Sequence, residues 1–427
     1  MVIPMRYDLL ILGGGASGLA AAVTAKSLGI EKIAVIERLP RVGKKILATG
    51  NGRCNLSHAG ITAKDFRGSV NVAPILDAFG DVRAFFENLG LFTRTDAAGR
   101  IYPYSMAASA VLDAFRLRMR EDGVEEICGT LCQSLSFQNG TWRLQALRQT
   151  KTEESKPVQS TQVDFTASHI IFAAGGYAAP KLGTDGTSWK LLENLHIPLI
   201  PAEPNLCPVL SDERLLRPLK GLRVKGQITL LDNGKAVAMQ SGEIQFTEKA
   251  LSGICVFDLS GRIDTRRISQ YALVLDPLSE WEGDTDALLY SLQGTRFGMT
   301  SEEMLGGLLP KPLVRLILKN AGIAPETVCS DLDGRAMHRL AEALHSLTFP
   351  VRGLADFGQA QSTRGGVPGT ALDAHLQVKH HPGLYVTGEA CDVHADCGGY
   401  HLHWAWASGA CAATAIARTL RSDQASD

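Results

Sequence analysis

The most specific chemical signal is a glycine-rich turn near the start of the chain. Gly13, Gly15 and Gly18 follow the apolar residues 7–12 in the spacing G-x-G-x-x-G. In a strand–turn–helix unit the first glycine allows a tight turn, the second lets a pyrophosphate approach the backbone, and the third lets helix and strand come close. Glu37 closes the next apolar segment, where its carboxylate would accept hydrogen bonds from ribose hydroxyls and repel a 2′-phosphate. These residues predict a dinucleotide site that disfavours NADP.

Three further segments distinguish a flavin dinucleotide from a nicotinamide dinucleotide. Residues 43–55, GKKILATGNGRCN, would form a second basic and glycine-rich wall for a long cofactor. Residues 170–176 form an apolar run that ends in alanine and glycine, as expected of a strand passing under the cofactor. Residues 384–389, LYVTGE, end in an acid suited to the ribityl chain, and the N-terminus of the following alanine-rich helix would face the flavin. The sequence therefore predicts FAD. It contains no second G-x-G-x-x-G motif, so NAD(P)H is predicted only as a transient reductant.

The elements that must position these residues alternate along the chain. Residues 7–12 and 33–36 are predicted to be buried strands, and the alanine-rich residues 19–28 between them a helix ended by Gly29. A βαβ unit of this kind predicts an α/β fold with a parallel sheet.

Bulk composition narrows the class of protein. The 427 residues suffice for two or three domains, and a net charge of −1 provides no overall basic field for nucleic acid. The nine cysteines form no C-x-x-C pair and no zinc-ligand spacing, so we predict no metal site and a reducing compartment. The apolar N-terminus is better explained by a strand and a helix than by a signal peptide, and no apolar run reaches the length of a membrane span. We expect a cytoplasmic protein without membrane contact.

Seven motifs carry a resemblance to a known family. They are GGGASG at 13–18, GNGRCN at 50–55, GRIYPYSMAAS at 99–109, PNLCP at 204–208, QFTEKALSG at 245–253, TRGGV at 363–367 and GEACDVHADCGGYHLHWAWASG at 388–409. With them, nearly the whole chain resembles the BaiN/YhiN-like family of FAD-dependent oxidoreductases, also described as NAD(P)/FAD-dependent or aminoacetone-oxidase-type flavoproteins. The combination of GNGRCN with the last motif is the most specific part of the resemblance.

The resemblance implies a two-part Rossmann-type FAD-binding domain with an inserted β-barrel-like domain and a small helical domain. The expected bounds are 1–200 and 350–427 for the FAD-binding domain, 201–275 with about 340–355 for the β-barrel-like substrate domain, and 276–345 for the helical domain. The pattern of the chain agrees, because residues 201–268 alternate like short strands and residues 285–346 have helical periodicity.

The motifs and the resemblance together predict the cofactor contacts. The expected residues are Gly13, Gly15, Ala16, Ser17, Gly18, Glu37, Arg38, Gly43, Lys44, Lys45, Thr49, Gly50, Asn51, Arg53, Cys54, Asn55, Leu131, Ala173, Ala174, Gly175, Gly388, Glu389, Asp392, Gly399, Tyr400, His401 and Leu402. The family usually has Asn and Gln where this chain has His401 and His403, so side-chain contacts and substrate choice are expected to differ there. It also more often has a histidine near Lys249, which leaves that segment without a catalytic assignment.

The resemblance implies hydride transfer through the flavin. The first expectation is reduction of a C=C bond conjugated to a ketone in a small steroid-like molecule such as an oxidised bile acid. The second is reduction of a uridine in ribosomal RNA, for which residues 217–225 supply a basic cluster that is more often plain solvated surface. The third is an amine oxidase that passes electrons to oxygen, and a non-catalytic flavin-binding module is disfavoured. Both reductions need a general acid and a donor that stabilises an oxyanion.

Three residues are catalytic candidates. Tyr102 could donate a proton or polarise a carbonyl, or it could only pack as an aromatic ring. Arg53 could contact the flavin edge or pair with a carboxylate. His401 could act as an acid near neutral pH, and because His403 is two residues further along a helix the two rings should face different directions. Cys54 has no neighbouring base in the sequence, so a small buried side chain is favoured over a nucleophile.

Overall fold

The computed structural model describes residues 4–150 and 159–424. The chain divides into two compact units, Met1–Asn205 with Ala360–Asp427, and Leu206–Gln359. The first unit is thus built from both ends of the sequence, and the second is one continuous insertion.

The elements in the described residues are given in chain order. The strands are β1 (Met5–Leu12), β2 (Ile33–Ile36), β3 (Ser57–His58), β4 (Phe66–Gly68), β5 (Thr93–Thr95), β6 (Arg100–Pro103), β7 (Glu125–Ile127), β8 (Thr130–Gln138), β9 (Thr141–Thr150), β10 (Gln159–Phe172), β11 (Ile200–Asn205), β12 (Val209–Leu210), β13 (Arg223–Asp232), β14 (Lys235–Phe246), β15 (Ala250–Ser252), β16 (Tyr271–Asp276), β17 (Leu347–Pro350), β18 (Gly353–Leu354), β19 (Ser362–Gly366), β20 (Leu384–Val386) and β21 (Val393–Ala395). The α-helices are α1 (Ala16–Ser27), α2 (Lys44–Ala48), α3 (Ala73–Phe79), α4 (Val82–Glu87), α5 (Ala108–Glu121), α6 (Trp189–Asn194), α7 (Glu213–Leu216), α8 (Ile254–Ser260), α9 (Thr285–Thr295), α10 (Ser301–Leu305), α11 (Lys311–Ala321), α12 (Gly334–His345) and α13 (Tyr400–Gln424).

The main sheet of the first unit has the order β7-β2-β1-β10-β9-β8, with β20 also paired to β10. β1 is parallel to β2 and β10, and β10 is parallel to β20, whereas β8 and β9 form an antiparallel edge. The register places Leu12 opposite Ile36 and Phe172, and Phe172 opposite Val386. The carboxyl ends of these parallel strands therefore meet at one edge, which is where open α/β sheets bind ligands.

The central strands are buried on both faces, which explains their continuous apolar sequence. Leu9 and Ile11 belong to the core formed with α1, α5 and α13, while Leu10 and Leu12 belong to the core on the opposite face. Helix α13 packs directly on α1, and a Cβ at Gly409 would stand 2.2 Å from the carbonyl oxygen of Ser17. The C-terminal segment is therefore an integral layer of the N-terminal sheet.

The second unit combines a sheet of order β17-β16-β13-β14-β15-β12-β18, antiparallel throughout, with helices α7 to α12. Its longest hairpin joins β13 to β14 through Asn233 and Gly234, both with positive φ. The sheet and the helices share one hydrophobic core, to which β16 contributes Leu273 and α12 contributes Leu340. Closure of the sheet into a barrel, and a separate helical domain, stay predictions.

Short ribbons β3-β6-β5, β4-β21 and β11-β19 complete the first unit. Within residues 4–150 and 159–424, none of the helices is both long and apolar enough to cross a membrane.

Candidate active site

The glycine-rich turn, Glu37 and the segments that follow β10 and β20 surround one cavity in the first unit. Its volume is about 1000 Å³. The predicted cofactor residues that line it are Gly13, Gly15, Ala16, Ser17, Glu37, Gly43, Lys44, Lys45, Thr49, Ala173, Ala174, Gly175, Gly388, Glu389, His401 and Leu402. Segments far apart in the sequence meet here because the strands that precede them end at the same edge of the sheet.

The three glycines of the turn have three different surroundings. Gly13 has a φ of +110°, and a Cβ there would lie 2.4 Å from the carbonyl oxygen of Ala173. A Cβ on Gly18 would lie 2.0 Å from the carbonyl oxygen of Gly13, so α1 can approach β1 only because Gly18 has no side chain. A Cβ on Gly15 would meet no atom within 4 Å, because this glycine faces the cavity at the start of α1. The free N–H groups of the first turn of α1 make this a site for an anion.

Glu37 is held by the backbone of the turn. Its carboxylate accepts hydrogen bonds from the N–H groups of Gly14 at 2.9 Å and Leu39 at 2.8 Å. Burial raises the pKa of the Glu37 carboxyl, although these N–H groups oppose the rise. Each carboxylate oxygen has a further lone pair, so the group can still accept hydrogen bonds from hydroxyls of a ligand.

Arg38 turns to a different partner. Its guanidinium donates to Asp185 at 2.7 and 2.8 Å, and this arginine holds the pKa of the Asp185 carboxyl well below its usual range. Arg38 and Leu131 line a smaller neighbouring cavity of about 500 Å³, whose wall also includes Glu37. Glu37 therefore stands between the two cavities.

The lining of the main cavity also contains an ion pair. Lys45 Nζ lies 2.5 Å from Glu389 Oε2, and Glu389 Oε1 accepts a hydrogen bond from the N–H of Thr363 at 2.7 Å. Gly388 has a φ of +64°, and a Cβ there would lie 2.6 Å from Ser17 Oγ. The segment after β20 therefore lies directly against the start of α1.

His401, in the first turn of α13, lines the main cavity as a neutral ring. Burial lowers its pKa to about 4. Its Nε2 accepts a hydrogen bond from the N–H of Ala395 at 3.3 Å and lies 3.5 Å from Asn205 Nδ2. These donors favour the tautomer with the proton on Nδ1.

His403 lines another cavity, of about 890 Å³, in the same unit. Its Nδ1 lies 2.9 Å from Ser57 Oγ, and its ring packs edge-on against Phe79. Burial lowers its pKa to about 4 as well. The two histidines therefore face different cavities, as the helical spacing predicts.

The loop of residues 49–55 runs from the cavity wall to the protein surface. Thr49 lines the cavity, whereas Asn51 and Arg53 are exposed. Arg53 makes no ion pair with a carboxylate of the described residues. Cys54 is fully buried, and burial raises its pKa to about 12, so it is a protonated thiol and not a nucleophile at neutral pH.

Some predicted cofactor residues do not line the main cavity. They are Gly18, Arg38, Gly50, Asn51, Arg53, Cys54, Asn55, Leu131, Asp392, Gly399 and Tyr400. Asp392 is buried, and its carboxylate accepts a hydrogen bond from the N–H of Ser69 at 2.8 Å, so of the two acids after β20 only Glu389 is among the cavity-lining residues. Tyr102, a catalytic candidate, is also outside this lining and lies against Gly50.

Several lining residues were missed in the sequence. They are Gly14, Leu39, Ile46, Leu182, Gly183, Thr184, Gln361, Ser362, Val393, Trp404 and Ala405. Gly14, Trp404 and Ala405 lie inside motifs already recognised, so their positions could have been inferred. Residues 182–184 lie in no motif, and only the folded chain brings them to the cavity.

The geometry fits FAD. A phosphate could approach the open face of Gly15, and Glu37 offers acceptors beside this point. The first two turns of α13 supply His401, Leu402, Trp404 and Ala405 to the cavity lining, so the N-terminal end of this helix borders the cavity. The lining is mostly apolar, which suits the ring systems of a flavin dinucleotide.

Comparison with known proteins agrees with this geometry. Residues 7–415 match the family described as HI0933-like protein Rossmann domain. The chain is 31% identical, over 95% of its length and 98% of the relative, to a 3-dehydro-bile acid delta(4,6)-reductase of Clostridium scindens. It is 26% identical to a ribosomal RNA dihydrouridine synthase of Escherichia coli, over 96% of this chain and 98% of the relative. A ribosomal RNA dihydrouridine synthase of Haemophilus influenzae is also 26% identical, with the same shares covered.

These matches confirm the predicted BaiN/YhiN-like resemblance, the α/β Rossmann-type domain and FAD as the cofactor. The matched region includes both units, so the agreement is not confined to the glycine-rich turn. The chain therefore belongs to the HI0933-like Rossmann family and is an FAD-dependent flavoprotein oxidoreductase.

Proposed function

We propose that this protein transfers a hydride from reduced FAD to a C=C bond conjugated to a carbonyl, in a small 3-oxo-steroid or bile-acid-like substrate. The observation that carries this proposal is the 31% identity, over nearly all of both chains, to a protein named for the reduction of a 3-dehydro-bile acid. FAD supplies the hydride chemistry when it is bound, and the protein supplies binding, orientation and electrostatics.

Different residues of this chain would bind the different parts of FAD. The turn from Gly13 to Ser17, at the start of α1, would hold the pyrophosphate. Glu37 would accept hydrogen bonds from the ribose, and the ion pair of Lys45 with Glu389 would border the flavin end. The other predicted contacts that line the cavity, namely Gly43, Lys44, Thr49, His401 and Leu402, would border the ring system.

His401 has a narrower role than a general acid. Because burial lowers its pKa to about 4, the ring is neutral at pH 7 and can donate only from one nitrogen. We assign it to orienting the flavin or the substrate carbonyl. Tyr102 and Arg53 stay the candidates for the proton donor and the oxyanion-stabilising donor.

Two buried cysteines, Cys54 and Cys391, are disfavoured as carriers of electrons between the flavin and the substrate. Burial raises the pKa of Cys54 to about 12, and burial also raises the pKa of Cys391. Thiolates are the reactive form of cysteine, so these side chains are inert at neutral pH. Direct transfer between flavin and substrate needs no such relay. NAD(P)H is proposed as the donor that reduces the flavin, and the second unit, as a β-barrel-like region with helices, is proposed to select the substrate.

Reduction of a uridine in RNA is the second candidate, and the charges of the insert disfavour it. Arg217 lies within 3.5 Å of both Glu213 and Glu248, and Lys220 lies 3.2 Å from Glu248. Arg223 pairs in the same way with a glutamate on β14 at 3.2 Å. The basic cluster of residues 217–225 is therefore largely neutralised and offers few free charges for phosphates. An amine oxidase that releases peroxide is the third candidate.

An anaerobic half-reaction separates these candidates. The flavin of the purified holoenzyme is reduced by NADH or NADPH, or by light, and a 3-oxo-4-ene steroid is then added. We expect the oxidised-flavin absorbance to return, together with a product saturated at the double bond. If the oxidised-flavin absorbance returns only when air is admitted, and an amine substrate yields peroxide, the protein is an oxidase. If the absorbance returns only with a uridine-containing RNA, the second candidate is favoured.

A further inference from the structure

The outer face of the ribbon β3-β6-β5 carries two arginines beside an exposed aromatic surface. Arg94 on β5 stands opposite Tyr102 on β6, and Arg100 on β6 stands opposite His58 on β3. Since side chains alternate along a strand, Arg100 and Tyr102 project to the same face, and Ile101 between them is buried on the other. The ribbon therefore presents both guanidinium groups and the Tyr102 ring on one side.

Two aromatic rings next to this face are exposed to solvent. Phe92 and Tyr104 are each 68% exposed, and the N–H of Tyr104 donates to the carbonyl oxygen of Phe92 at 2.8 Å. The guanidinium carbon of Arg94 lies 5.7 Å from the centre of the Tyr104 ring. A cation over a ring within about 6 Å is attracted to it, which helps to orient Arg94.

The next feature of this surface is the state of its positive charges. Within the described residues, Arg53, Arg94 and Arg100 form no ion pair with a carboxylate. Asp96, in the turn between β5 and β6, accepts hydrogen bonds from the backbone N–H groups of Ala98 and Arg100. Among the other arginines of the same unit, some are paired, namely Arg38 with Asp185, Arg67 with Asp396 and Arg364 with Glu203.

This surface adjoins the proposed cofactor site through one loop. Thr49 lines the main cavity, and a Cβ on the next residue, Gly50, would lie 3.7 Å from the Tyr102 ring. The Tyr102 ring therefore lies beside Gly50, the residue that follows Thr49 of the cavity lining. The face that carries Arg94 and Arg100 starts at this ring.

We propose that this arginine and tyrosine face binds the carboxylate at the remote end of a steroid acid whose enone lies at the flavin. The inference rests on the proposed reduction of a steroid-like enone. Guanidinium groups recognise carboxylates by paired hydrogen bonds, and exposed rings beside them cover hydrocarbon. The net charge of −1 and the neutralised cluster of residues 217–225 favour a small anion over the many phosphates of RNA.

The test compares a 3-oxo-4-ene steroid acid with its neutral methyl ester. Binding to the oxidised holoenzyme is followed by the change in flavin absorbance, and turnover is measured separately. We expect the acid to bind about tenfold more tightly than the ester, as the loss of a charge-assisted hydrogen bond implies. Arg94→Met and Arg100→Met should each remove most of that preference by raising the KM for the acid. Arg120→Met, which removes an exposed arginine of α5, should leave the preference as it is in the wild type.

The outcomes separate this inference from the proposed function. If the steroid reoxidises the flavin but both arginine variants keep the wild-type preference for the acid, the carboxylate site is refuted and enone reduction stands. If neither steroid reoxidises the flavin, yet tight binding of the acid still depends on Arg94, the site stands and the proposed function fails. If an oligouridylate binds in an Arg94-dependent manner and the steroid acid does not, the face serves RNA phosphates and the carboxylate assignment is overturned.

Discussion

Substitution of Gly15 and Gly18 by alanine should separate binding of the cofactor from stability of the fold. Gly15 precedes α1 with φ −87° and ψ −167°, which alanine adopts without strain, and a Cβ there would meet no protein atom within 4 Å. Alanine restricts the unfolded chain more than glycine but is a poorer residue at the start of a helix, and these effects largely offset each other. We expect the flavin-free Gly15→Ala protein to unfold within about 0.5 kcal/mol of the wild type.

The same Cβ would occupy the space through which a pyrophosphate approaches the backbone. Loss of one charge-assisted hydrogen bond to the phosphate costs about 2 kcal/mol, so the Kd for FAD should rise roughly thirtyfold. Gly18→Ala differs, because its Cβ would stand 2.0 Å from the carbonyl oxygen of Gly13, a backbone atom that cannot rotate away. Overpacking of this kind costs about 3 kcal/mol, so both stability and FAD affinity should fall.

Urea unfolding of the flavin-free proteins and fluorescence titration with FAD measure the two quantities. The free energy of unfolding should be nearly the same for the wild type and Gly15→Ala. It should be much lower for Gly18→Ala. Unchanged FAD affinity in Gly15→Ala would show that the pyrophosphate does not lie on this turn. Equal stability of Gly15→Ala and Gly18→Ala would refute the argument from the close approach of α1 to β1.

Three further outcomes follow from the contacts of single residues. Burial lowers the pKa of His403 to about 4, so an unfolded chain with a histidine pKa near 6.5 binds more protons between these values. The contribution of His403 to the free energy of unfolding should therefore fall by about 3 kcal/mol between pH 6.5 and 4, and His403→Gln should lose that part of the pH dependence in urea titrations. Arg38→Ala breaks the ion pair with Asp185, whose side chains are both 32% exposed, so the free energy of FAD binding should weaken by about 1 kcal/mol. Stopped flow should record this as faster release of FAD. Loss of the distant pair of Arg118 with Asp122 should leave that rate unchanged. Cys54 should resist iodoacetamide at pH 8 in the folded protein and react after unfolding, as mass spectrometry would record, because burial raises its pKa to about 12.

The elements around the glycine-rich turn were predictable because their signals are local. The apolar run before Gly13, the alanine-rich helix after it and Glu37 at the end of the second strand all lie within a few turns of chain. Backbone sterics and side-chain periodicity act over that distance, so β1, α1 and β2 lie close to where the sequence placed them. The helices of residues 285–346 were recognisable for the same reason.

Side-chain partners were less predictable because they depend on contacts between distant segments. Nothing near Arg38 in the sequence indicates Asp185, and nothing near Lys45 indicates that its partner is Glu389. The basic appearance of residues 217–225 was misleading as a sign of free charge, since glutamates from other segments neutralise most of it. The sequence showed which charges exist, but only folding decided which of them meet.

By itself the sequence determined the family, the cofactor and the strand–turn–helix unit that would cradle it, because close backbone approach demands glycine at particular positions. Only the tertiary structure decided that residues 182–184 and 361–362 complete the cavity and that His401 and His403 serve different cavities. It also decided that His401 is neutral and that Arg94 and Arg100, which pair with no carboxylate of the described residues, lie on one face. Burial, and the neighbours that it brings, set the charge of an ionisable group, and both are properties of the folded chain.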